Sequence, residues 1–407
     1  MRRVNRRQFM EGAAAFGLAA GMGRVADGAT PTAFSDWREG LLDIHHISTG
    51  RGESTFVICP DGTTMLIDAG DMSDGRPDET VLPRLPNASR TPGEWIAAYV
   101  ERFSRPLNHK APRLDYVTLT HFHSDHIGCR QNEVREKNGY ALSGITEVAE
   151  HVAIGTLVDR AYPDYAFPTR EAVAASNPKF FKDYLAFVEH QRTKRGTVME
   201  AFDVGSRKQF ALKRAPDRFP SFVVRNIAAN GKVGEKTVFT HEQRPDENMC
   251  CSVVTLSYGA FTYYTGGDCS GSPARRDVET PIGEAVGRVN AMSLNHHGCD
   301  DGTNAAILAA LRPQIMVIPV WDMWHPQTNA FTRMTDKTIY PDDRMIFATG
   351  LHEKAKARLG EAAALIRPQG HVVIRVSEGG ARFRVFVLDP GDFSVVDATD
   401  ELHASKK

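Results

Sequence analysis

Hydrophobic and polar positions alternate along the chain in short bursts, and no long apolar stripe appears. Residues 41–47 (Leu-Leu-Asp-Ile-His-His-Ile) and 54–59 (Ser-Thr-Phe-Val-Ile-Cys) are β-rich, and Pro60-Asp61-Gly62-Thr63 reads as a hairpin turn into a third strand at 64–68. Residues 71–92 are polar and rich in Pro and Gly, hence loop. Trp95, Ile96, Tyr99, Val100 and Phe103 recur at helical spacing, which predicts a helix over 93–104. Residues 114–120 read as a buried strand. The stretch 130–245 is mixed, with a helix predicted at 178–192 and a strand at 221–228. Beyond it come strands at 252–258 and 260–265, then 289–295, a helix at 304–311, and strands at 315–320, 371–377 and 381–388. Helices and strands interleave, with antiparallel hairpins at both ends. That pattern predicts a mixed α/β sandwich rather than a doubly wound parallel sheet.

Composition narrows the class without changing this picture. Of 407 residues, 42% are hydrophobic and 24% charged, which excludes a disordered or fibrous chain. Lys and Arg number 49 against 50 Asp and Glu, so the chain is not built to hold nucleic acid by bulk charge. Six cysteines in this length make no disulfide scaffold. The N-terminus is more specific. Arg6-Arg7-Gln8-Phe9-Met10, followed by an uncharged Ala/Gly-rich stretch over 12–23, resembles a twin-arginine export signal. The apolar stretch falls short of the about 20 residues of a membrane helix. Residues 1–35 are therefore read as a signal segment cleaved between Val25 and Ser35. The mature chain is expected to have no membrane span and to be periplasmic or extracellular.

The chemistry is concentrated at Thr120-His121-Phe122-His123-Ser124-Asp125-His126-Ile127-Gly128. Three imidazoles and a carboxylate within six positions, directly after an apolar strand, would crowd and desolvate one another in an ordinary core. Around divalent metal the balance reverses, because neutral imidazole and carboxylate are preferred ligands. His121 and His123 alternate and can address one ion; Asp125 and His126 come from the following turn and can address a second.

This motif, preceded by Leu66-Ile67-Asp68-Ala69-Gly70, is similar to the metallo-β-lactamase superfamily. Later segments narrow the resemblance: Asn248 before Ser252-Val253-Val254-Thr255-Leu256, Tyr264-Thr265-Gly266-Gly267-Asp268, Asn295-His296-His297-Gly298, and His325-Pro326. The series resembles the hydrolase domain of the DNA-uptake protein ComEC and its free-standing relatives, including phosphorylcholine esterases, from about Leu41 to Leu388. The resemblance implies a four-layer αββα sandwich, a single α+β domain over 36–400, with 130–247 as an elaborated insert around the pocket and 401–407 as a tail. It implies two divalent ions, zinc by default with manganese or iron as alternatives. His121 and His123 would bind metal one, Asp125, His126 and His297 metal two, and Asp268 would bridge them. Asp125 and Asp268 would also serve catalysis, and His296 would face the substrate.

Many superfamily members give metal one a third His, and this chain has none in that slot. Asp246-Glu247-Asn248 stands there, with the Asn248 carbonyl or the Glu247 carboxylate as ligand and His151 and His241 as further candidates; the result would be a weaker or harder-ligand site. The activity implied is hydrolysis by a hydroxide held between two metals, on a small-molecule phosphoester or phosphodiester. The alternatives are a lactone or β-lactam acyl hydrolase and a non-catalytic metal-binding protein.

Several residues carry two readings each. Asp68 either orients a metal-binding His or simply turns the chain. His45 and His46, before the Gly-rich segment 48–53, either reach the cleft or pack in a strand. His325, Trp321 and Trp324 either line the substrate or fill core, and Cys129, Cys269 and Cys299 either take part in redox or ligand chemistry or fill space behind the site.

Overall fold

The computed structural model describes residues 33–73, 76–107, 111–271 and 276–404. The signal segment read in residues 1–35 lies outside the described residues except for its last three. The described residues belong to one compact unit, Pro31–Lys407, and among them no helix is long and apolar enough to cross a membrane.

Two sheets form the centre. The first runs Val395–Ala398, Arg382–Leu388, His371–Val376, Leu42–His46, Thr55–Ile58, Thr64–Ile67, Arg113–Leu119, Ala153–Asp159 and Val198–Ala201, with Leu402–His403 also paired to Arg382–Leu388. Its neighbours are antiparallel up to Thr64–Ile67 and parallel beyond it. The second sheet runs Lys236–Thr237, Lys232–Val233, Phe222–Ala229, Val253–Tyr258, Phe261–Thr265, Ala291–Ser293, Ile315–Ile318 and Met345–Ala348. It is antiparallel in its first half and parallel from Phe261–Thr265 onward.

Strands such as Ile315-Met316-Val317-Ile318 are apolar at every position because both faces of each sheet are covered. Ile44, Val57 and Ile374 of the first sheet meet Leu256, Tyr263 and Val317 of the second in the central core. The next residue along each strand points the opposite way. Phe56, Leu66 and Val117 thus face helices Pro92–Ser104, Gly144–His151 and Phe181–His190 through Ile96, Val148 and Tyr184. On the far side Met292 and Met316 face helices Glu279–Val286 and Ala305–Leu311 through Ile282 and Ile307. The layers are helix, sheet, sheet, helix: the αββα sandwich.

Residues 130–247 depart from the expectation of an insert. Ala153–Asp159 and Val198–Ala201 extend the first sheet in parallel, and Phe222–Ala229 is a strand of the second. Gly155 and Thr156 dilute the apolar signal of one strand, and the other is an edge strand whose Val198 is 53% exposed. The tail departs too, since Leu402 and His403 pair with Phe383 and Arg382.

Strands Thr64–Ile67 and Arg113–Leu119 are parallel, as are Phe261–Thr265, Ala291–Ser293 and Ile315–Ile318. Beyond their carboxyl ends come the loops that carry His121, His123, Asp268 and His297 on a rigid frame. Because that frame depends on the central core, Leu256→Ala, at a fully buried position, is expected to lower the unfolding free energy by about 2–5 kcal/mol. Urea denaturation measures it, and a loss well under 1 kcal/mol would show that the sheets do not pack through this residue.

Candidate metal centre

The centre begins with Asp68, which leaves strand Thr64–Ile67 in the left-handed region at φ 59°. Its carboxylate is buried and fully used. Oδ1 accepts from the Thr120 backbone N–H at 2.7 Å; Oδ2 accepts from the Thr120 hydroxyl at 2.7 Å and from His126 Nδ1 at 2.8 Å. With its proton given to Asp68, the Thr120 hydroxyl accepts from His121 Nδ1 at 3.1 Å. One carboxylate thus sets the tautomer of two histidines and leaves both Nε2 atoms as free lone pairs. Of the two readings of Asp68, the orienting one is what the structure shows.

His123 directly precedes the short helix Ser124–Ile127, which carries Asp125 and His126. That helix is pressed against the Asp68 turn so closely that a Cβ on Gly70 would collide with the Asp125 carbonyl, which accounts for glycine in the Asp68-Ala69-Gly70 motif. His296 and His297 are consecutive residues with φ of 49° and 53°, an uncommon backbone for non-glycine residues and one that concentrates at functional sites. His297 Nδ1 donates to the Pro319 carbonyl at 2.8 Å and His296 Nδ1 to Asp301 Oδ1 at 2.6 Å. Both rings therefore also present Nε2 inward.

Asp268, just beyond strand Phe261–Thr265, takes the middle. Its Oδ1 lies 3.1 Å from His126 Nε2 and 3.3 Å from His297 Nε2. Its Oδ2 lies 3.6 Å from His121 Nε2 and 3.8 Å from His296 Nε2. His123 Nδ1 sits 3.0 Å from His121 Nε2, and Asp125 Oδ2 sits 3.1 Å from His297 Nε2.

Two donor sets result, one of His121, His123 and Asp268 and one of Glu53, His126, Asp268 and His297, with the ligand atoms of each within 4.8 Å of one another. Zinc–nitrogen bonds of about 2.0–2.1 Å place tetrahedral ligands about 3.4 Å apart, and the separations above bracket that value. The lone pairs of His126 Nε2 and His297 Nε2 face each other at 3.3 Å, an arrangement that needs a proton or a cation between them. Glu53 Oε2 and Asn248 Oδ1 are buried with no hydrogen-bond partner, and buried polar atoms are rarely left so. The donor set fits a pair of divalent ions.

Without a cation, protons take that place. Burial opposes charge on His297, but Asp268 and Asp125 outweigh it and lift the imidazole to about 9. Burial likewise opposes charge on His126, and Asp268, Asp125 and Asp68 raise it well above the usual range. The Asp268 carboxyl, against the effect of burial, is held low by His126 and His297. Glu53 goes the other way: burial pushes it up to about 7.

Asn248 is buried, its Nδ2 3.3 Å from His296 Nε2, and that ring nitrogen lies 3.8 Å from Asp268 Oδ2. Glu247 is committed elsewhere. Its Oε1 accepts from the Phe122 backbone N–H and from Arg160 Nε, both at 2.9 Å, and its Oε2 pairs with the same guanidinium. Glu247 is therefore no ligand. His151 and His241 are exposed and stand apart from both sets, so neither fills the missing slot. His45 and His46 are strand residues bonded to Tyr99 at 3.0 Å and Tyr263 at 3.4 Å, which is the packing reading. His325 stacks on His297 with ring centroids 4.7 Å apart, and Trp321 stands edge-on to both rings. Trp324 is a surface residue under the Arg358 guanidinium. No thiol enters either set among the described residues. Glu53 is the functional candidate missed by sequence reasoning. Its only local signal is a lone acidic residue between glycine and two hydroxyl residues, ahead of a strand.

Residues 48–132 match the family model of the metallo-beta-lactamase superfamily; the matched stretch holds Glu53, Asp68, His121, His123, Asp125 and His126. No curated protein matches the chain. Among solved structures it is similar to a mutant of CmlA beta-hydroxylase, at 14% identity over 78% of this chain and 54% of that one, with a TM-score of 0.37. The chain thus spans about half the length of that protein. It is also similar to Zn(2+)-bound PqqB from Methylobacterium extorquens, at 12% identity over 68% of this chain and 88% of that one, TM-score 0.33. A diphosphatase of the PhnP family is similar at 11% identity over 83% and 98%, TM-score 0.36.

The protonation pattern predicts how cation-free protein responds to pH. His297 rises from an ordinary 6.5 to about 9 on folding, so the stability from its proton is complete below pH 6.5 and is lost as pH climbs through 9. Glu53, raised from 4.5 to about 7, acts in the same direction. The Tm of chelator-treated protein is expected to fall between pH 6.5 and 9, and divalent metal is expected to flatten that fall by replacing the protons. Differential scanning fluorimetry across this range checks it; a rising Tm in the cation-free protein would refute the assignment.

Proposed function

We propose that the protein is a metal-dependent hydrolase that cleaves phosphoester or phosphodiester bonds in a small-molecule substrate, with two divalent cations seated on either side of Asp268. The observation that carries this reading is the Asp268 carboxylate, whose two oxygens face separate sets of imidazole nitrogens at distances a bridged ion pair requires. The superfamily match over residues 48–132 supports it. The preference for phosphoesters over lactones or β-lactams rests on the motif series from Asn248 to Pro326.

In this reading His121, His123, Asp268 and Asn248 would hold the first ion, and His126, His297, Asp125 and Asp268 the second. Zinc suits the imidazole content, and manganese or iron the carboxylates. When bound, the ions supply Lewis acidity and a nucleophile drawn from water near neutral pH. The chain's own residues do the rest. Asp68, Thr120 and the Pro319 carbonyl hold the ligating rings in one tautomer and one orientation. His296 faces the open side, its side chain 21% exposed against 0–1% for His121, His126 and His297. Burial opposes its charge, but Asp268 and Asp301 raise its affinity for a proton. A proton held there through Asp301 is available to a departing oxygen.

Metal-replete protein is expected to contain about two divalent ions per chain and to hydrolyse a generic phosphodiester such as bis(p-nitrophenyl) phosphate. His123→Ala and Asp268→Ala should each lose metal and cut kcat/KM by more than the ~10–100-fold that an altered outer hydrogen-bond partner costs, with far-UV circular dichroism unchanged. Elemental analysis finding no bound metal in reconstituted protein would overturn the reading. Turnover of a lactone or β-lactam with no phosphodiester cleavage would favour the acyl hydrolase.

We also propose that Arg6-Arg7 direct export through the twin-arginine route, which places the enzyme in the periplasm or outside the cell. Arg6→Lys combined with Arg7→Lys is expected to retain the protein in the cytoplasm; cell fractionation showing an unchanged distribution would rule this out.

A further inference from the structure

Glu53 is buried in the same volume as His126, Asp268 and His297, and one of its carboxylate oxygens lies within 4.8 Å of a ligand atom of each. Its Oε1 accepts from the Ser293 hydroxyl at 3.1 Å, while Oε2 is shut from solvent and has no partner. One neutral hydroxyl is poor compensation for burying a carboxylate. Of its charged neighbours, the His126 and His297 rings favour a negative Glu53, while the Asp68 and Asp268 carboxylates oppose it, and burial outweighs the rings. Nor is Glu53 loosely placed. Its N–H donates to the Asp125 carbonyl at 2.8 Å, and its carbonyl accepts from the Gly70 N–H at 2.9 Å. The backbone is stitched to the turn that bears Asp125 and His126 and to the Asp68 turn that orients His126, so the side chain is aimed by the frame.

We propose that Glu53 is a further ligand of the second cation, and that it makes this seat carboxylate-rich and open to manganese(II)-type ions while the first seat remains zinc-selective. The inference rests on the two-cation reading above. With Glu53, the second seat has carboxylates from Glu53, Asp125 and Asp268 and nitrogens from His126 and His297. That set exceeds the four donors of a structural zinc site and suits ions that favour oxygen and higher coordination. The first seat has two imidazoles, a single carboxylate oxygen and the neutral amide oxygen of Asn248. The hard seat is therefore the second one, reversing the expectation drawn from the missing third histidine.

The test measures ion affinity, seat by seat, in the full chain. Zinc is titrated against a chromophoric chelator, and the zinc-loaded protein is then exposed to excess manganese(II) with metal content read by elemental analysis. Wild type is expected to bind two zinc ions and to exchange one of them for manganese. Glu53→Gln keeps the shape and an acceptor for Ser293; it is expected to weaken the second zinc by ~10–100-fold or more, to leave the first unchanged, and to abolish the manganese exchange. A Glu53→Gln protein that binds both ions as wild type does overturns the inference and leaves the hydrolase reading standing. Should that variant fail to fold, the wild-type exchange decides: one zinc replaced supports the inference, none replaced overturns it. Wild type that binds no divalent ion removes both the hydrolase reading and this one.

Discussion

Two imidazole nitrogens, His126 Nε2 and His297 Nε2, are held 3.3 Å apart, and in the neutral tautomers that their outer partners impose neither can donate to the other. Each ring is pinned from behind, His126 by Asp68 and His297 by the Pro319 carbonyl. Neither can turn away without breaking a bond to a strand end. This enforced convergence of lone pairs, with the Asp268 carboxylate wedged against both, is unfavourable in any empty pocket. It becomes favourable only when positive charge enters, and the surrounding frame serves to keep the rings from relaxing before it does.

The frame carries its own costs in the same small region. Asp68, His296 and His297 all sit in the left-handed region, at about 1–3 kcal/mol each for residues with a Cβ. Arg160 and Glu247 are buried as an ion pair, and that pair is satisfied in full. Glu247 also takes the Phe122 N–H next to His121, and the guanidinium lies over the Phe122 ring at 4.9 Å. A carboxylate that looks like a ligand in the sequence is thus one residue away from the centre in role. It anchors the backbone between His121 and His123 instead of touching what they bind.

What could be read from the chain follows from how local each signal is. His121, His123, Asp125 and His126 fall within six positions, so their chemistry is visible without any fold. Asp268 and His297 are single residues in short glycine-bearing turns, legible only through the motif resemblance. Glu53 has no such company, because its neighbours at the centre come from positions 126, 268 and 297. Its meaning exists only after two sheets have packed. The same contrast runs through the fold. Strands buried on both faces, such as Thr64–Ile67 and Ile315–Ile318, announce themselves by unbroken apolar residues. Val198–Ala201, an edge strand with a Glu at its third position, does not, and so residues 130–247 looked like an insert although they build part of both sheets.

Each cation seat draws its donors from both sheets. His121 and His123 follow a strand of the first sheet and His126 a turn later, while Asp268 and His297 follow strands of the second. Neither sheet carries a complete seat. The central core, through residues such as Ile44 and Leu256, therefore sets the distance across which an ion is held, and an ion once held ties the sheets together along the one edge where the core gives way to polar loops. Binding that is confined to the packed state adds its free energy to folding, about 4.1 kcal/mol when free ion stands at 1,000 times its Kd. That gain is comparable to one large residue in the core. In this architecture a bound ion and the inter-sheet packing would stabilise each other, since the imidazoles and carboxylates that crowd the bare edge would make it a clasp once filled.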